Sequence, residues 1–194
     1  ALERGPRKGR LSLIVRTQTR FRSMTVPNTT IDWRHIAHTA LLSRALDDVE
    51  EATNKNRATI NRDHYVHYQF SARGHEVAQC ILGSFVTHRH DAAAVYYRSR
   101  PFMLSVGASI EDALAGPLGR SGGFSNGRDI GVVFNHPNPN GPIVIPMGGD
   151  VGSQYTPCAG WAQAITYHRD VLDDASYASA MAVSLGGEAS CRST

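Results

Sequence analysis

The spacing of apolar residues along the chain predicts four helices separated by loops. In four stretches the apolar side chains recur at roughly the period of an α-helix. Thr29 or Thr30 can cap the first of these helices, and Asp32 places an acid in its first turn. Pro157 suits an early turn of the fourth helix. The predicted helices span residues 31–54, 75–86, 110–118 and 156–167.

Two short apolar runs between and after these helices predict β-strands. The first covers residues 92–97 and is followed closely by Pro101, which predicts a break in the chain. The second covers residues 178–185 and leads directly into the sequence Gly-Gly-Glu. Residues 119–149 are rich in Gly, Pro and Asn and predict a long loop. Helices that alternate with short strands indicate an α/β protein.

Length and composition are those of one ordinary globular domain. The chain has 194 residues and a mass of 21.1 kDa, with 41% apolar and 19% charged residues. No apolar run approaches the roughly eighteen residues that a membrane span requires. The three cysteines are far apart, which predicts neither a disulfide framework nor a paired-cysteine zinc site. A reducing compartment is the simplest expectation.

Basic residues are concentrated at the N-terminus. Residues 1–23 hold seven of the 20 Lys and Arg residues and one acid, a balance of +6; residues 24–194 hold the other 13 and 16 acids, a balance of −3. The mildly acidic body argues against nucleic-acid binding. Residues 1–23 have three open interpretations: a vector-derived or upstream-translated segment before a start at Met24, an organelle-targeting leader, or a basic tail for an acidic partner.

Several short patterns could hold a ligand, although each alone also fits an ordinary turn or strand end. Tyr97 offers a stacking face, and Arg98 offers a fork of donors that suits a diphosphate. Glycines in residues 148–152 would let the backbone approach an anion before a helix. Glu188 after two glycines could bind magnesium. The histidines lack the spacing of a metal site, but His67, in a polar loop, could reach a phosphate or a reacting carbonyl.

Taken in order, these segments resemble one family. They look like the α subunit, or α half, of the thiamine diphosphate-dependent decarboxylating component of 2-oxo acid dehydrogenases, whose best-known members act on pyruvate and branched-chain 2-oxo acids. The resemblance spans residues 31–190 and implies a thiamine diphosphate-binding fold. Such a fold is a partial doubly wound parallel sheet with flanking helices, here the N-terminal part of an α domain within residues 24–194. The matching segments read HYQFSARGHEVAQ, YYRSRPF, GGFSNGRD, GGDVGSQYTPCAGWAQA and SLGGEAS.

The resemblance implies roles for particular residues. Tyr97 and Arg98 match a Tyr-Arg pair that contacts the aminopyrimidine and the diphosphate of the cofactor. Gly149 and Val151 match a Gly-x-Val segment that cradles the aminopyrimidine ring. His67 matches an active-site histidine, which would stabilise charge on the substrate oxygen or relay protons.

The turn after the last predicted strand departs from the family pattern. Gly186, Gly187 and Glu188 stand at the family's Gly-Asp-Gly turn, and Gly187, Glu188 and the following Ala189 are expected to contact the cofactor. Gly187 stands where the family has its magnesium-binding Asp, so Glu188 is the expected metal ligand. A second metal ligand lies further downstream in the family, and the Glu that activates the cofactor belongs to the β subunit or β half. The isolated chain is therefore expected to be inactive.

The implied function is that of an oxidoreductase component that decarboxylates a 2-oxo acid and passes the acyl group to a lipoyl arm. Its expected cofactors are thiamine diphosphate and magnesium. Its expected partners are the β subunit or β half, a lipoyl acyltransferase core and the 2-oxo acid, with no nucleic acid or membrane. The expected location is the cytoplasm, or the mitochondrial matrix in a eukaryote. Two alternatives stay open: another thiamine diphosphate enzyme, of the acetoin dehydrogenase or transketolase type, and a non-catalytic α/β assembly module.

Overall fold

Three short parallel strands form the sheet of this protein. A computed structural model describes residues 30–56, 58–59, 61, 66–67, 69–128 and 132–192, so the basic segment 1–23 lies outside the described residues. The strands are β1 (Ala92–Ala94), β2 (Ile143–Val144) and β3 (Ala182–Ser184), in the order β2-β1-β3. β1 is central, parallel to both neighbours and buried at every residue, as expected of a strand covered on both faces. The α/β prediction is confirmed.

Helices flank this sheet, and four of them were predicted. α4 has the predicted bounds, because Ser109 and Asp112 form a reciprocal capping box at its start and Gly119 ends it at φ 63°. Within the described ranges, no helix is both long and apolar enough to cross a membrane. The helices are α1 (Trp33–Lys55), α2 (Glu76–Phe85), α3 (Arg100–Ser105), α4 (Ile110–Leu118), α5 (Tyr155–Asp170) and α6 (Glu188–Arg192), with a 3-10 turn at Ala175–Tyr177.

Two helix starts differ from the sequence-based prediction. The side chain of Asp32 accepts a hydrogen bond from the backbone N–H of His35 at 3.0 Å, so Asp32 is the cap of α1 in place of Thr30, and Thr29 lies outside the described residues. Pro101 lies in the first turn of α3. The break predicted near Pro101 is present, since β1 ends at Ala94 and α3 begins at Arg100, but the sequence did not predict α3. Pro101 fits its first turn because a first-turn residue needs no N–H donor.

The predicted loop and the last predicted strand also differ from the structure. β2 lies inside residues 119–149. The N–H of Ile143 donates to the carbonyl of Asp91 at 3.0 Å, and the N–H of Ile145 donates to the carbonyl of Ala93 at 2.9 Å. A strand of two residues is too short to show a period in the sequence. β3 covers only part of residues 178–185, because the 3-10 turn and a following turn occupy the chain before it. α6 begins directly after Gly187.

A buried ionic cluster joins α1 to α3. Arg100 donates to Asp47 at 2.8 Å and pairs with Glu50, and all three side chains are buried. Asp47 also accepts from the hydroxyl of Ser71 at 2.8 Å and the N–H of Ala72 at 2.9 Å, which ties the segment before α2 to the same cluster. Burial raises the pKa of Glu50, against the lowering effect of Arg100.

A second buried carboxylate aligns β1 with β3. Asp91 accepts from the N–H of His88 at 2.8 Å and from the N–H of Met181 at 2.7 Å. The indole of Trp161 donates to the carbonyl of His90 at 3.0 Å and so ties α5 to the same end of β1. These bonds set β1 and β3 side by side, with their carboxyl ends together. The buried core around them contains Val86, Ala93, Val95, Phe102, Met103, Ala108, Val132, Phe134 and Val144.

Candidate functional site

A cleft opens at the carboxyl ends of the three parallel strands. It encloses about 460 Å³ of space, part of which is open to solvent. Three segments form it: the residues after β1, the glycine-rich loop between β2 and α5, and the turn between β3 and α6. Ligands of parallel α/β sheets bind at this edge. The lining residues are Val95, Tyr96, Tyr97, Met147, Gly148, Gly149, Asp150, Val151, Gly152, Gln154, Gly187, Ala189 and Ser190.

Two tyrosines after β1 form an aromatic wall of the cleft. Tyr96 is buried, and its hydroxyl lies 3.5 Å from Nδ1 of His75. Burial raises the pKa of Tyr96, against the lowering effect of nearby Arg98, so the phenol is neutral at pH 7. The ring of Tyr97 packs on Phe70 with 4.5 Å between the ring centroids. The wall therefore offers flat apolar surface and a neutral hydroxyl.

The glycine-rich loop forms a second wall with room beside its backbone. A Cβ added at Gly149 would meet no atom within 4 Å. Val151 is 61% exposed. Gln154 anchors the loop to the end of β3, because its side-chain amide donates to the carbonyl of Leu185 at 3.0 Å. α5 begins at the next residue, so its N-terminal N–H groups add positive potential next to the loop.

The turn after β3 closes the cleft tightly. A Cβ on Gly186 would lie 2.0 Å from the hydroxyl of Tyr155 and 2.5 Å from that of Ser190, so any side chain there would displace both. The hydroxyl of Ser190 donates to the carbonyl of Gly187 at 2.6 Å and lies 2.7 Å from the hydroxyl of Tyr155. A Cβ on Gly187 would face the ring of Tyr96 at 3.9 Å. The turn therefore lies against the aromatic wall.

Most of the predicted cofactor-binding residues line this cleft. The parallel strand order brings their three segments together although they are far apart in sequence. Arg98 does not line the cleft but contacts Tyr97, one of the lining residues. Its guanidinium donates to the carbonyl of Ser71 at 2.6 Å, and its central carbon is 5.3 Å from the centroid of the Tyr97 ring. The predicted residues in the lining are Tyr97, Gly149, Val151, Gly187 and Ala189.

Glu188, the predicted metal ligand, begins α6 between two lining residues. Its carboxylate binds Arg192 at 2.6 Å, and the two side chains are 80% and 78% exposed. An ion pair this exposed contributes little stability and can open. Across the described ranges, no three His, Cys, Asp or Glu side chains are grouped as a metal site. Asp150 is the acidic residue of the cleft lining.

His67, the predicted catalytic residue, is exposed at the end of α4 and does not line the cleft. Its backbone N–H donates to the carbonyl of Pro117 at 2.8 Å. Its ring lies 3.6 Å from where Gly119 would carry a Cβ. The histidine whose ring nitrogen comes within 3.5 Å of the Tyr96 hydroxyl is His75.

Sequence reasoning missed several residues of the cleft. Tyr96 reaches it together with Tyr97 because β1 ends two residues earlier and a turn follows. Asp150 and Ser190 lie inside or beside the predicted glycine turns, so their position in those motifs was the available signal. His75, which does not line the cleft, had no such signal, since only the packing of the segment before α2 against the end of β1 brings it to the hydroxyl of Tyr96.

No protein-family model matches this sequence, and no curated protein is significantly similar to it. The ligand chemistry of the cleft is therefore inferred from its lining residues. It combines aromatic and apolar surface for a flat ring with exposed glycine backbone and the start of a 16-residue helix. The first feature suits a heteroaromatic group, and the second suits an anion.

Proposed function

We propose that this chain forms the α side of a thiamine diphosphate site in the decarboxylating component of a 2-oxo acid dehydrogenase. One observation carries the proposal: three segments singled out by motif line a single cleft at the carboxyl ends of parallel strands. The strand order β2-β1-β3 also supports a partial doubly wound sheet. After β1 the chain forms β2 on one side of β1 and then β3 on its other side. Cofactors of doubly wound sheets bind at such a point, where the strand order reverses.

The lining of the cleft offers suitable surfaces for the organic part of the cofactor. Tyr97 and Met147 supply aromatic and apolar surface for a flat ring. The open space beside Gly149 is a cradle that any side chain at this position would fill. Val151 is an exposed apolar side chain at the same place, available to pack against a ring. The diphosphate would lie towards the N-terminus of α5, and Arg98 is a cation against the ring of Tyr97.

Magnesium is proposed to bind with the diphosphate, through Glu188. This ion usually keeps several waters and takes one or two carboxylates together with phosphate oxygens, so it does not require a cluster of three acidic side chains. Glu188 would exchange its exposed partner Arg192 for the metal. Asp150 is a carboxylate of the cleft lining itself.

When bound, thiamine diphosphate supplies the nucleophilic carbon and the electron sink that decarboxylation of a 2-oxo acid requires. The residues of this chain bind and orient it, and the tyrosine wall excludes water on one side. On the resemblance alone, His67 is proposed to stabilise charge on the substrate oxygen or to relay a proton. The β subunit or β half is proposed to complete the site, and a lipoyl acyltransferase core to accept the acyl group.

Titration calorimetry of the chain with thiamine diphosphate and magnesium tests this proposal. We expect metal-dependent binding, and Gly149→Leu should weaken it about tenfold or more, about 1.4 kcal/mol, because the leucine side chain would occupy the space beside the loop. Gly160→Leu is the matched control. Gly160 lies on α5 outside the cleft, and a Cβ there also meets no atom within 4 Å.

Absence of binding at millimolar cofactor would overturn the proposal. Equal affinity of the Gly149→Leu and Gly160→Leu variants would show that a cofactor binds elsewhere on the chain. Assays with the β partner, using pyruvate and branched 2-oxo acids in parallel, would then distinguish a 2-oxo acid dehydrogenase from another thiamine diphosphate enzyme.

A non-catalytic assembly module is the second candidate function. It is favoured by one specific observation: Glu188, at the turn where the resemblance expects a metal ligand, is paired with Arg192, and Gly187 stands at the family's Asp position. This alternative predicts no metal-dependent binding in the same titration, together with an intact complex with the β partner.

A further inference from the structure

The loop between α4 and β2 contains a tight turn with asparagine and glycine as its central residues. The N–H of Arg128 donates to the carbonyl of Ser125 at 3.2 Å and so closes the turn over Asn126 and Gly127. The φ angles of these two central residues are 55° and 73°. Positive φ at both positions defines a type I′ turn, in which Asn-Gly is a preferred pair. Both residues are exposed to solvent.

The turn leaves the backbone nitrogen of Gly127 unpaired. In the part of the chain that the structure describes, the N–H of Gly127 donates to no acceptor, whereas the N–H of Asn126 donates to the carbonyl of Gly123 at 3.1 Å. Glycine has no side chain that could shield this nitrogen from the side chain of the preceding residue. An exposed and unpaired amide nitrogen can lose its proton to base in the solvent and then act as a nucleophile.

The side-chain carbonyl of Asn126 is held and polarised by a hydrogen bond. Its Oδ1 accepts from the backbone N–H of Gly122 at 2.9 Å. A donor on a carbonyl oxygen stabilises the negative charge that develops there when a nucleophile adds to the carbon. The nitrogen of Gly127 follows Asn126 directly in the chain, so its attack on Cγ closes a five-membered ring.

We infer that Asn126 is a site of spontaneous deamidation and isomerisation in the folded chain. The nitrogen of Gly127 loses its proton and bonds to Cγ of Asn126, the bond from Cγ to Nδ2 breaks, and Nδ2 leaves with a proton as ammonia. Water then adds to either carbonyl carbon of the resulting succinimide and opens the ring. One opening gives aspartate, and the other gives isoaspartate, in which the main chain runs through Cβ and Cγ.

Ring closure requires the peptide unit between Asn126 and Gly127 to rotate, and the turn permits this rotation. Types I′ and II′ share a positive φ at the first central residue and differ in the sign of φ at the second. Asn126 already has the shared φ. Gly127 can adopt either sign because glycine lacks a Cβ. The rotation therefore leads from one allowed turn to another.

A second Asn-Gly pair, Asn140 and Gly141, lacks these features. Gly141 is buried, and its N–H donates to the carbonyl of Asn138 at 3.5 Å. The side-chain nitrogen of Asn138 lies 2.5 Å from where Gly141 would carry a Cβ, so this side chain covers the glycine. The two pairs have the same chemistry in different surroundings, which makes the second pair an internal control.

The two products have different consequences for the turn. Aspartate keeps an oxygen that can accept from Gly122 and adds a negative charge. Isoaspartate adds a carbon to the main chain inside a two-residue turn, which should break the bond between Arg128 and Ser125. Asn126 does not line the cleft, so this inference and the proposed cofactor site can fail independently.

Mass spectrometry of peptides from the folded full-length chain, incubated at mildly alkaline pH, tests the inference. We expect the peptide that contains Asn126 to gain the mass difference between aspartate and asparagine. It should do so about fivefold faster than the peptide that contains Asn140, which is the factor that one hydrogen bond supplies. Methylation by an isoaspartate-specific methyltransferase identifies the isomerised product. In guanidinium chloride the two peptides should react at similar rates, because unfolding removes the difference between their surroundings.

Asn126→Gln is the matched variant. Its side chain is one methylene longer, so attack would need a six-membered ring, and the product at this position should disappear while Asn140 reacts at its wild-type rate. Circular dichroism verifies that the variant is folded. The inference is overturned if Asn126 reacts no faster than Asn140 in the folded chain. It is also overturned if the ratio of the two rates is the same in the folded and the denatured chain.

Discussion

At the scale of single residues, the glycines of the cleft differ in how much space the fold leaves for a side chain. Gly186 has no room for a side chain, since a Cβ would lie 2.0 Å from the Tyr155 hydroxyl. Gly149 has open space where a Cβ would be, so the fold does not require glycine there. The first glycine lets the turn pack against Tyr155, whereas the second leaves the cleft open beside the loop.

We expect Arg98 to contribute to cofactor binding and not to folding. Arg98→Ala should weaken binding of thiamine diphosphate while leaving the chain folded, because it removes a cation beside the tyrosine wall and the bond that holds the carbonyl of Ser71. Calorimetry measures the affinity, and circular dichroism the fold. Arg89→Ala is the control. Arg89 is exposed and precedes β1, at the end of the strand away from the cleft, so this variant should bind thiamine diphosphate with the wild-type affinity. An unchanged affinity of Arg98→Ala would remove Arg98 from the site.

At the scale of elements, the chain after the aromatic wall is held by the buried cluster between α1 and α3. α3 starts two residues after Arg98, and its first residue, Arg100, is bound to Asp47 and Glu50 of α1. The position of the tyrosine wall therefore depends on a helix that is more than forty residues earlier in the sequence.

Removal of the buried guanidinium should be strongly destabilising. Arg100→Met leaves Asp47 and Glu50 buried without a cation, and the loss of one partner of a buried ion pair costs about 3–5 kcal/mol. Urea unfolding followed by circular dichroism measures this loss. Arg73→Met is the comparison: its partners Asp48 and Glu51 are solvent-accessible, so the midpoint should change little. Equal effects of the two variants would contradict the structural role of the cluster.

At the scale of the whole molecule, two buried acids give stability opposite dependences on pH. Burial raises the pKa of Glu50 above its ordinary value near 4.5, so the folded chain binds this proton more tightly and its stability falls as pH rises through that window. Burial would also raise the pKa of Glu76, but hydrogen bonds from backbone N–H groups and from Arg44 lower it. The contribution of Glu76 is present above pH 4.5 and is lost as pH falls below it.

Glu50→Gln isolates the first of these effects. The amide keeps a hydrogen-bond acceptor for Arg100 but cannot ionise, so the variant lacks the loss of stability that the wild type shows above pH 4.5. We expect the stability of the variant relative to the wild type to increase as pH rises from 4 to 7, in urea titrations at a series of pH values. A difference that is independent of pH would show that Glu50 ionises in the folded chain at its ordinary pKa.

Local sequence signals were sufficient for the elements that local chemistry determines. Ser109, Asp112 and Gly119 determine where the helix at 110–118 begins and ends, because capping involves only neighbouring residues. The glycine turns and the Tyr-Arg step could be singled out for the same reason. β2 could not be predicted, since two residues form a strand only when β1 is beside them.

The amino-acid sequence alone determined the α/β class, the main helices and the motifs that are candidates for binding. Only the tertiary structure decided that three of these motifs share one cleft and that neither Arg98 nor His67 lines it. The reason is physical: periodicity and capping act over a few residues, whereas the cleft depends on strand pairing and on buried carboxylates, such as Asp91 with Met181, that join residues 90 positions apart.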